Sequence, residues 1–292
     1  MPKGLREIRN RIKSVKSTGQ ITRAMQLVAS SKMKRAQDSA RAGRAYAELL
    51  GEILDTAQAK VGDFTHPLLT KREVKVRGIL LVTPDKGMAG ALNGNLIRLA
   101  AEQKDAVFVC IGRKGAQALA RSGRKVLADF PVTDRATFNE VRPAAEYLLK
   151  AFSEGTVDTV EVLFAHFKNT MVQTPRVQQL LPADSLVNQA REFRAKLGLP
   201  EPKIDEDERD MLFEPSAAAI LNQLPALFFK QAVHQAVLES KASEFSARMV
   251  AMKAATDNAK KIGAALSLEY NKARQAAITQ EILELTAGAA AQ

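Results

Sequence analysis

The chain has 292 residues, about enough for two domains, and 46% of them are hydrophobic, so it can bury a core. Its net charge is +11, and its single cysteine excludes a disulfide framework and a cysteine metal cluster. No run approaches the ~18 apolar residues of a membrane-spanning helix, and no secretory signal is present, so we expect a soluble intracellular protein.

Long stretches without proline mark the two ends of the chain. Residues 3–66 contain no proline, and neither do residues 226–292. Because proline inside a helix removes a hydrogen bond and clashes with the preceding turn, both stretches permit long helices. The sequence therefore predicts a long helix, a mixed middle part and a second long helix.

Apolar and small residues recur at helical spacing in the first segment, 1–60. They follow one another in steps of three and four: Leu5, Ile8, Ile12, Val15, Gly19, Thr22, Gln26, Ala29, Met33, Ala36 and Ala40. Such a stripe packs against a neighbouring helix, and small residues at its centre allow a close approach. A second apolar stripe of Ile21, Met25 and Val28 predicts that this helix touches more than one partner.

The middle part, 72–214, alternates between apolar runs and helical patterns. Strands are predicted at Val74–Thr83, Ala106–Gly112, Lys125–Phe130, Val157–Phe167 and Thr174–Leu181, with helices near 91–103, 113–121 and 137–152. This alternation predicts a parallel or mixed sheet with helices on its faces, and the last two strands predict a hairpin. The polar and acidic run 182–215 is typical of a loop or a short irregular helix.

The C-terminal segment, 216–292, repeats the pattern of the first. Its stripe runs through Leu224, Leu227, Gln231, His234, Leu238, Lys241, Phe245, Arg248, Met252, Ala255, Ala259, Ile262, Leu266, Glu269, Ala273, Ala276, Gln280, Leu283 and Ala287. Ser216 is placed to cap the helix. About seventy helical residues would span on the order of 100 Å, more than a domain of this size can bury.

Each long helix joins the middle part at its inner end, so the two helices can pair only in antiparallel orientation. We therefore predict an α/β fold: a long antiparallel two-helix coiled coil from the N- and C-terminal segments, plus a central α/β Rossmann-like domain. The predicted boundaries are 1–60, 72–214 and 216–292.

Most of the excess positive charge lies on the first segment. Residues 1–60 carry 13 Lys and Arg against 5 Asp and Glu, a net of +8. Three interpretations are open: a solvated charged face, a surface that binds nucleic acid, and a surface that meets an acidic protein. The segment has Tyr46 as its only aromatic residue, which argues against nucleic acid, but composition does not choose between the two kinds of partner.

Catalytic motifs are scarce. The sequence has no phosphate-binding Gly-x-x-x-x-Gly-Lys-Ser/Thr loop, its histidines lie far apart, and Cys110 lies in an apolar strand pattern typical of an inert thiol. The turn Gly87–Gly94 follows a strand and opens a helix, where amides can bind phosphate, but its glycine spacing is not that of a dinucleotide site. We predict no catalytic, metal or cofactor site, and a nucleotide-dependent enzyme that uses this turn is a weaker alternative.

Both ends of the chain resemble one protein family. The run Ile21–Met33 is similar to the N-terminal helix of the gamma subunit of F-type ATP synthases, and Ser243–Ala259 and Tyr270–Glu281 are similar to its C-terminal helix. The spacing Ile-Thr-x-Glu-x-x-Glu-x-x-x-Gly-Ala-x-Ala, which begins at Ile278, resembles the family signature. In the middle, Asp85–Asn93 carries conservative replacements of the usual Asp-Arg-Gly-Leu-Cys-Gly-Gly-Leu-Asn.

The resemblance implies a rotor shaft without catalytic activity. The coiled coil would stand inside a hexamer of alternating alpha and beta subunits, with the middle domain beside the epsilon subunit and above the membrane ring of c subunits. Proton flow would turn one copy per complex and drive ATP synthesis on the beta subunits, and hydrolysis would run the motor backwards. Because the match starts near Leu5, we expect no presequence and a bacterial complex, peripheral on the cytoplasmic side of the inner membrane.

The resemblance also implies which residues meet the hexamer. Arg274, Gln275 and Thr279 would contact its loops on the upper shaft, and Met25 and Arg248 would lie near the coupling contact lower down. Ordinary packing between helices would explain Met25 and Arg248 equally well. For the whole chain, the leading alternative is a basic coiled-coil protein that binds nucleic acid, with an affinity that falls steeply with salt.

Overall fold

The computed structural model describes residues 3–61, 66–182, 214 and 216–290. In chain order its elements are α1 (Lys3–Val61), β1 (Arg77–Val82), α2 (Leu92–Glu102), β2 (Ala106–Ile111), α3 (Arg113–Arg121), β3 (Val126–Phe130), α4 (Phe138–Ser153), β4 (Thr159–Phe167), β5 (Gln173–Leu181) and α5 (Ala217–Ala290). The predicted helices and strands are confirmed in kind and order. The acidic run predicted as a loop at 182–215 lies almost wholly outside the described residues.

Contacts divide the chain into two compact units. Unit 1 consists of Met1–Ser30 and Arg248–Gln292, and unit 2 consists of Ser31–Ala247. Both long helices contribute residues to each unit. The division of the sequence at 1–60, 72–214 and 216–292 stays a prediction.

Unit 2 contains a mixed sheet in the strand order β3-β2-β1-β4-β5. β1 pairs in parallel with β2 and β4, β3 joins β2 in parallel, and β5 returns antiparallel to β4. Parallel pairs need long crossovers, which α2, α3 and α4 supply, whereas the β4–β5 hairpin needs only a short turn. The predicted mixed sheet and its hairpin are therefore confirmed.

Helices cover both faces of the sheet. Successive side chains along a strand point to opposite faces, so they pack in two separate layers. On β1, Ile79 and Leu81 pack in one cluster with Leu96 of α2 and Leu119 of α3. Leu80 points the other way, into the cluster formed with α4 and with the part of α5 that belongs to unit 2. Burial on both faces is the reason why the central strands β1 and β2 are continuous apolar runs, whereas the edge strand β5 carries polar residues.

The carboxyl end of β1 is tied to the start of α3 through Thr83, which is 2% exposed. Its hydroxyl donates to the Gly112 carbonyl at 3.1 Å and accepts from the Gly115 amide at 2.8 Å. Gly112 has a φ of 99°, and a Cβ added there would lie 1.8 Å from the Thr83 carbonyl oxygen. Only glycine fits at this position.

We expect Gly112→Ala to destabilise unit 2 strongly. The new methyl group would overlap the Thr83 carbonyl on a backbone already in the left-handed region, and the two effects together cost about 3–5 kcal/mol of unfolding free energy. Gly123→Ala is the matched control, because Gly123 also has a positive φ, 69°, but nothing lies within 4 Å of its added Cβ. That control should lose about 1 kcal/mol in urea denaturation, and equal losses in the two variants would contradict the steric explanation.

Candidate functional site

In unit 1 the two long helices meet along a seam of small residues. The hydroxyls of Thr22 and Thr256 share a hydrogen bond of 2.7 Å. A Cβ added to Gly19 would lie 3.3 Å from the Cβ of Ala259. Residue numbers rise along α1 as they fall along α5, so the predicted antiparallel coiled coil is confirmed.

The seam uses the predicted stripe on α1 and a shifted stripe on α5. Every predicted α1 position from Leu5 to Ala29 is buried or half-buried. On α5, Gly263 takes the place predicted for Ile262, which is 50% exposed. The same one-residue shift recurs a turn or two later, where Tyr270 is half-buried and the predicted Glu269 is exposed.

The predicted α5 stripe is therefore wrong at Ile262 and Glu269. A Cβ added to Gly263 would lie 3.9 Å from a methyl group of Val15, an ordinary van der Waals distance, so Gly263 faces α1 without a steric need for glycine. The larger Ile262 is 50% exposed. The seam on α5 follows the line through Ala259, Gly263, Leu266 and Tyr270.

Met25 and Arg248 lie at the buried side of unit 1. Met25 is half-buried on α1, and Arg248 is 9% exposed on α5. The register of the seam places Arg248 level with Ser30, which is about 7.5 Å along α1 from Met25. Both environments are compatible with packing between helices, so a partner contact at either residue stays a prediction.

Arg274, Gln275 and Thr279 are exposed on the last turns of α5. Thr279 Oγ1 donates to the Gln275 carbonyl at 3.0 Å, which holds that hydroxyl against its own helix. The seam register places Leu5 level with Ala273, and α1 begins only two residues before Leu5. The three side chains therefore surround the point where α5 runs past the start of α1.

An apolar surface beyond that point was missed from the sequence. Ile278, Ile282 and Leu285 are 47%, 55% and 74% exposed and share one face of α5. Exposed apolar surface of this kind is typical of a region that binds a partner. The lengths of the two helical segments already indicated this surface. Because α1 starts near residue 3 and pairs antiparallel with the longer α5, it leaves the last turns of α5 uncovered.

The outer side of α1 in unit 1 is both apolar and basic. Ile21 and Val28 are 58% and 54% exposed, so two of the three residues of the predicted second stripe face outward, whereas Met25 is half-buried. The exposed basic side chains of this segment are Arg6, Arg9, Arg11, Lys13, Lys16 and Arg23. Unit 1 thus presents apolar area for contact together with positive charge that orients an acidic partner.

The Gly87–Gly94 turn is closed by its own chain. Met88 and Gly90 have φ values of 63° and 59°, which reverse the backbone within a few residues. The Leu92 amide donates to the Ala89 carbonyl at 3.3 Å as α2 begins. This geometry is that of a tight strand-to-helix turn.

The neighbouring helix start is also occupied by protein groups. The first three amides of α3, Arg113–Gly115, donate to the Asp85 carboxylate, the Pro84 carbonyl and the Thr83 hydroxyl. These amides are the donors that could bind a phosphate at this edge of the sheet. They are already satisfied, which weighs against the nucleotide alternative.

Burial alters the titration of the isolated cysteine and of two histidines. It raises the pKa of Cys110 to about 12, with a smaller contribution from the charge of Asp129, so the thiolate nucleophile does not form at neutral pH. Burial likewise lowers the pKa of His66 and His234, which keeps both rings neutral.

In the described part of the chain, no group of three or more His, Cys, Asp or Glu is placed to hold a metal ion. No described helix is long and apolar enough to span a membrane.

Comparisons with known proteins bear on the interpretations that the sequence left open. A family model described as ATP synthase matches residues 4–292. The ATP synthase gamma chain of Opitutus terrae is 52% identical over 283 residues, which cover 97% of this chain and 96% of that protein. The chain belongs to the ATP synthase gamma chain family. The gamma chain of Akkermansia muciniphila is 44% identical, with 97% of each chain covered.

Solved structures share the fold of this gamma chain. A chain of the Euglena gracilis mitochondrial ATP synthase, from its OSCP/F1/c-ring in rotational state 3, matches with a TM-score of 0.67 at 19% identity and covers 100% of this chain and 95% of its own. A chain of the Tetrahymena thermophila central stalk/c-ring matches with a TM-score of 0.56 at 24% identity, over 80% and 99%. The family predicted from the sequence is confirmed, and these relatives give no support to the nucleic-acid alternative.

We expect Gly19→Leu to weaken the helix seam of unit 1. A leucine at this position would collide with Ala259 and push the helices apart, which costs about 1–3 kcal/mol despite leucine's better helix propensity. Gly4→Leu is the matched control, because nothing lies within 4 Å of a Cβ added there. Thermal unfolding followed by circular dichroism should show a loss for Gly19→Leu and no loss for Gly4→Leu, and a gain at both positions would contradict the close approach.

Proposed function

We propose that this gamma chain is the central rotor shaft of a proton-translocating F-type ATP synthase. In that role it couples proton flow through the membrane sector to ATP synthesis and hydrolysis on the beta subunits, without catalytic activity of its own. Family membership over residues 4–292 supports the proposal. The structural observation that carries it is the helix pair of unit 1, whose small-residue seam leaves apolar and basic side chains on the outside.

The outer surface of unit 1 suits a shaft that turns among surrounding subunits. Most of the exposed large hydrophobic side chains among the described residues belong to this unit. Hydrophobic contact is non-directional, so a rotor can pass from one partner to the next without breaking specific bonds at each step. The basic side chains of α1 add an orientation preference toward acidic surfaces, which apolar contact alone does not supply.

The five residues implied by the resemblance divide into two groups under this proposal. Arg274, Gln275 and Thr279 would meet loops of the alpha–beta hexamer where α5 extends beyond α1. An arginine there brings a planar set of donors that suits carbonyl and carboxylate groups. Met25 and Arg248 would lie near the coupling contact, with Arg248 acting from a position that is 9% exposed.

The remaining partners follow from the same role. The sheet of unit 2 would sit beside the epsilon subunit and above the ring of c subunits, with one copy of the chain per complex. Nucleotide chemistry would belong to the beta subunits, in keeping with the occupied amides at the start of α3. The complex would be peripheral on the cytoplasmic side of a bacterial inner membrane, and the relatives in Opitutus terrae and Akkermansia muciniphila support its bacterial origin.

Reconstitution tests the proposal directly. Purified alpha and beta subunits from the same organism are mixed with and without this chain, and steady ATP hydrolysis is measured. We expect one copy per hexamer to form a stable complex and to raise turnover. Competent alpha and beta subunits that neither bind the chain nor change their activity would refute the rotor role.

We expect Arg274→Ala combined with Gln275→Ala to lower coupled ATP synthesis in membrane vesicles by about fivefold, the effect of losing one strong interface contact. Because both side chains are exposed, thermal unfolding of the isolated chain should not change. Lys260→Ala combined with Lys261→Ala is the matched control, since this pair is adjacent and exposed on the same helix. Unchanged ATP synthesis in the first variant, or an equal loss in the control, would show that Arg274 and Gln275 do not contact the hexamer.

A further inference from the structure

The loop that joins β3 to α4, residues 131–137, is fixed by contacts within unit 2. Val132 and Ala136 are buried, at 5% and 0% exposure. Thr137 and Glu140 form a reciprocal capping box at the start of α4, with the Thr137 amide 2.9 Å from Glu140 Oε2. Ala136 has a φ of 47°, a conformation that alanine rarely adopts and that its surroundings must hold. The loop is therefore a rigid part of the sheet layer.

Both long helices bind this loop. From α1, Lys32 Nζ donates a hydrogen bond to Asp134 Oδ2 and lies 5.7 Å from the centre of the Phe245 ring on α5. From α5, His234 Nε2 lies 2.9 Å from the Ala136 carbonyl oxygen, where the neutral ring acts as the donor. One loop of the sheet layer thus contacts both long helices within unit 2.

A buried cation on α5 reinforces the contact. Lys241 is 4% exposed, and its ammonium lies 3.6 Å from Glu244 Oε2. Burial by itself would raise the pKa of Asp134, but the hydrogen bond from Lys32 and the charges of Lys32, Lys241 and Lys86 bring this pKa below its ordinary value. Asp134 therefore stays ionised at neutral pH and attracts cations from three separate elements.

The Lys32–Asp134 pair differs in kind from the apolar contacts that the described side chains of α1 make in unit 2. Met33 and Ala36 of α1 pack with Ala242 and Phe245 of α5, and such apolar contacts allow sliding and rotation at little cost. A hydrogen bond between charged groups weakens as the donor and the acceptor turn out of line. At 38% and 48% exposure, the Lys32–Asp134 pair adds little to the free energy of unfolding, and it joins α1 to the loop at one defined point.

We propose that Lys32 and Asp134 form a clamp that fixes the angle of α1 against the sheet and stiffens the chain against twist, a role that rests on the proposed rotor function. The two side chains are positioning residues, because their role is mechanical and neither takes part in a chemical step. When torque passes between the sheet and the helices, the clamp resists their relative rotation. Without it, part of each turn is taken up by twisting inside the chain.

The angular fluctuation of the rotor measures this stiffness. The alpha–beta hexamer is fixed to a surface, and a bead is attached to the sheet through Met171→Cys, a hairpin position that is 72% exposed. Cys110 does not compete for the label, because it is buried and its pKa is about 12. The variance of the bead angle is recorded while the rotor pauses at low ATP concentration.

Lys32→Met and Asp134→Asn, each made in the Met171→Cys chain, should increase the variance of the bead angle by up to about twofold. The increase is limited because an exposed ion pair is only one of the contacts that join α1 to the rest of unit 2. The double variant should widen it no further than either single change. Lys32→Arg keeps the charge and the donor and should restore the reference variance. Lys34→Met is the matched control: Lys34 is exposed on α1, about 200° around the helix from Lys32, and its loss should change nothing.

The possible outcomes separate the clamp from the rotor role. Reference variance in both Lys32→Met and Asp134→Asn would overturn the clamp, and so would an equal increase in Lys34→Met. An increase that appears only together with a lowered thermal unfolding midpoint would also overturn it, because a merely structural role predicts that combination. A reference chain that assembles with the hexamer but does not turn would overturn the proposed function, and the clamp with it.

Discussion

The structure depends on the close approach of two antiparallel helices in unit 1. Gly19 stands opposite Ala259, and the hydroxyls of Thr22 and Thr256 are near enough to share a hydrogen bond of 2.7 Å. Small residues occupy the centre of this seam, and larger apolar residues such as Ile21 lie outside it and are exposed. The outer side of the helix pair therefore carries apolar as well as basic side chains, a surface that suits contact with surrounding subunits.

The surroundings of α5 differ along its length, and so does its structural role. In unit 2, Val233 and Val237 are fully buried in the core beneath the sheet, so α5 acts there as a core helix. The Ser243 hydroxyl donates to the Ala165 carbonyl at 2.8 Å and ties the helix to β4. In unit 1 the same helix is covered only along the seam, and beyond Ala277 every residue whose burial is described is exposed. One continuous helix is thus anchored by a core, paired through a seam and free at its end.

Sequence reasoning succeeded where burial imposes a simple period. The central strands β1 and β2 were found within a few residues because burial on both faces makes them continuous apolar runs. The start of β1 was placed too early at Val74, which is 52% exposed, because Asp158 accepts hydrogen bonds from the Lys75 and Val76 amides and holds them outside the ladder. That carboxylate lies more than eighty residues away in the chain, so no local pattern around β1 could indicate it.

The sequence by itself determined the family, the antiparallel pairing and the stripe on α1, because helical period, proline placement and the terminal motifs are local properties of the chain. Only the tertiary structure decided which of two neighbouring stripes on α5 forms the seam. Ile262 and Gly263 are both compatible with the helical period, and the packing against α1 places Gly263 opposite Val15 and leaves Ile262 50% exposed. The link between Lys32 and Asp134 has the same origin, since residues 102 positions apart meet only when a sheet loop and a long helix are packed together.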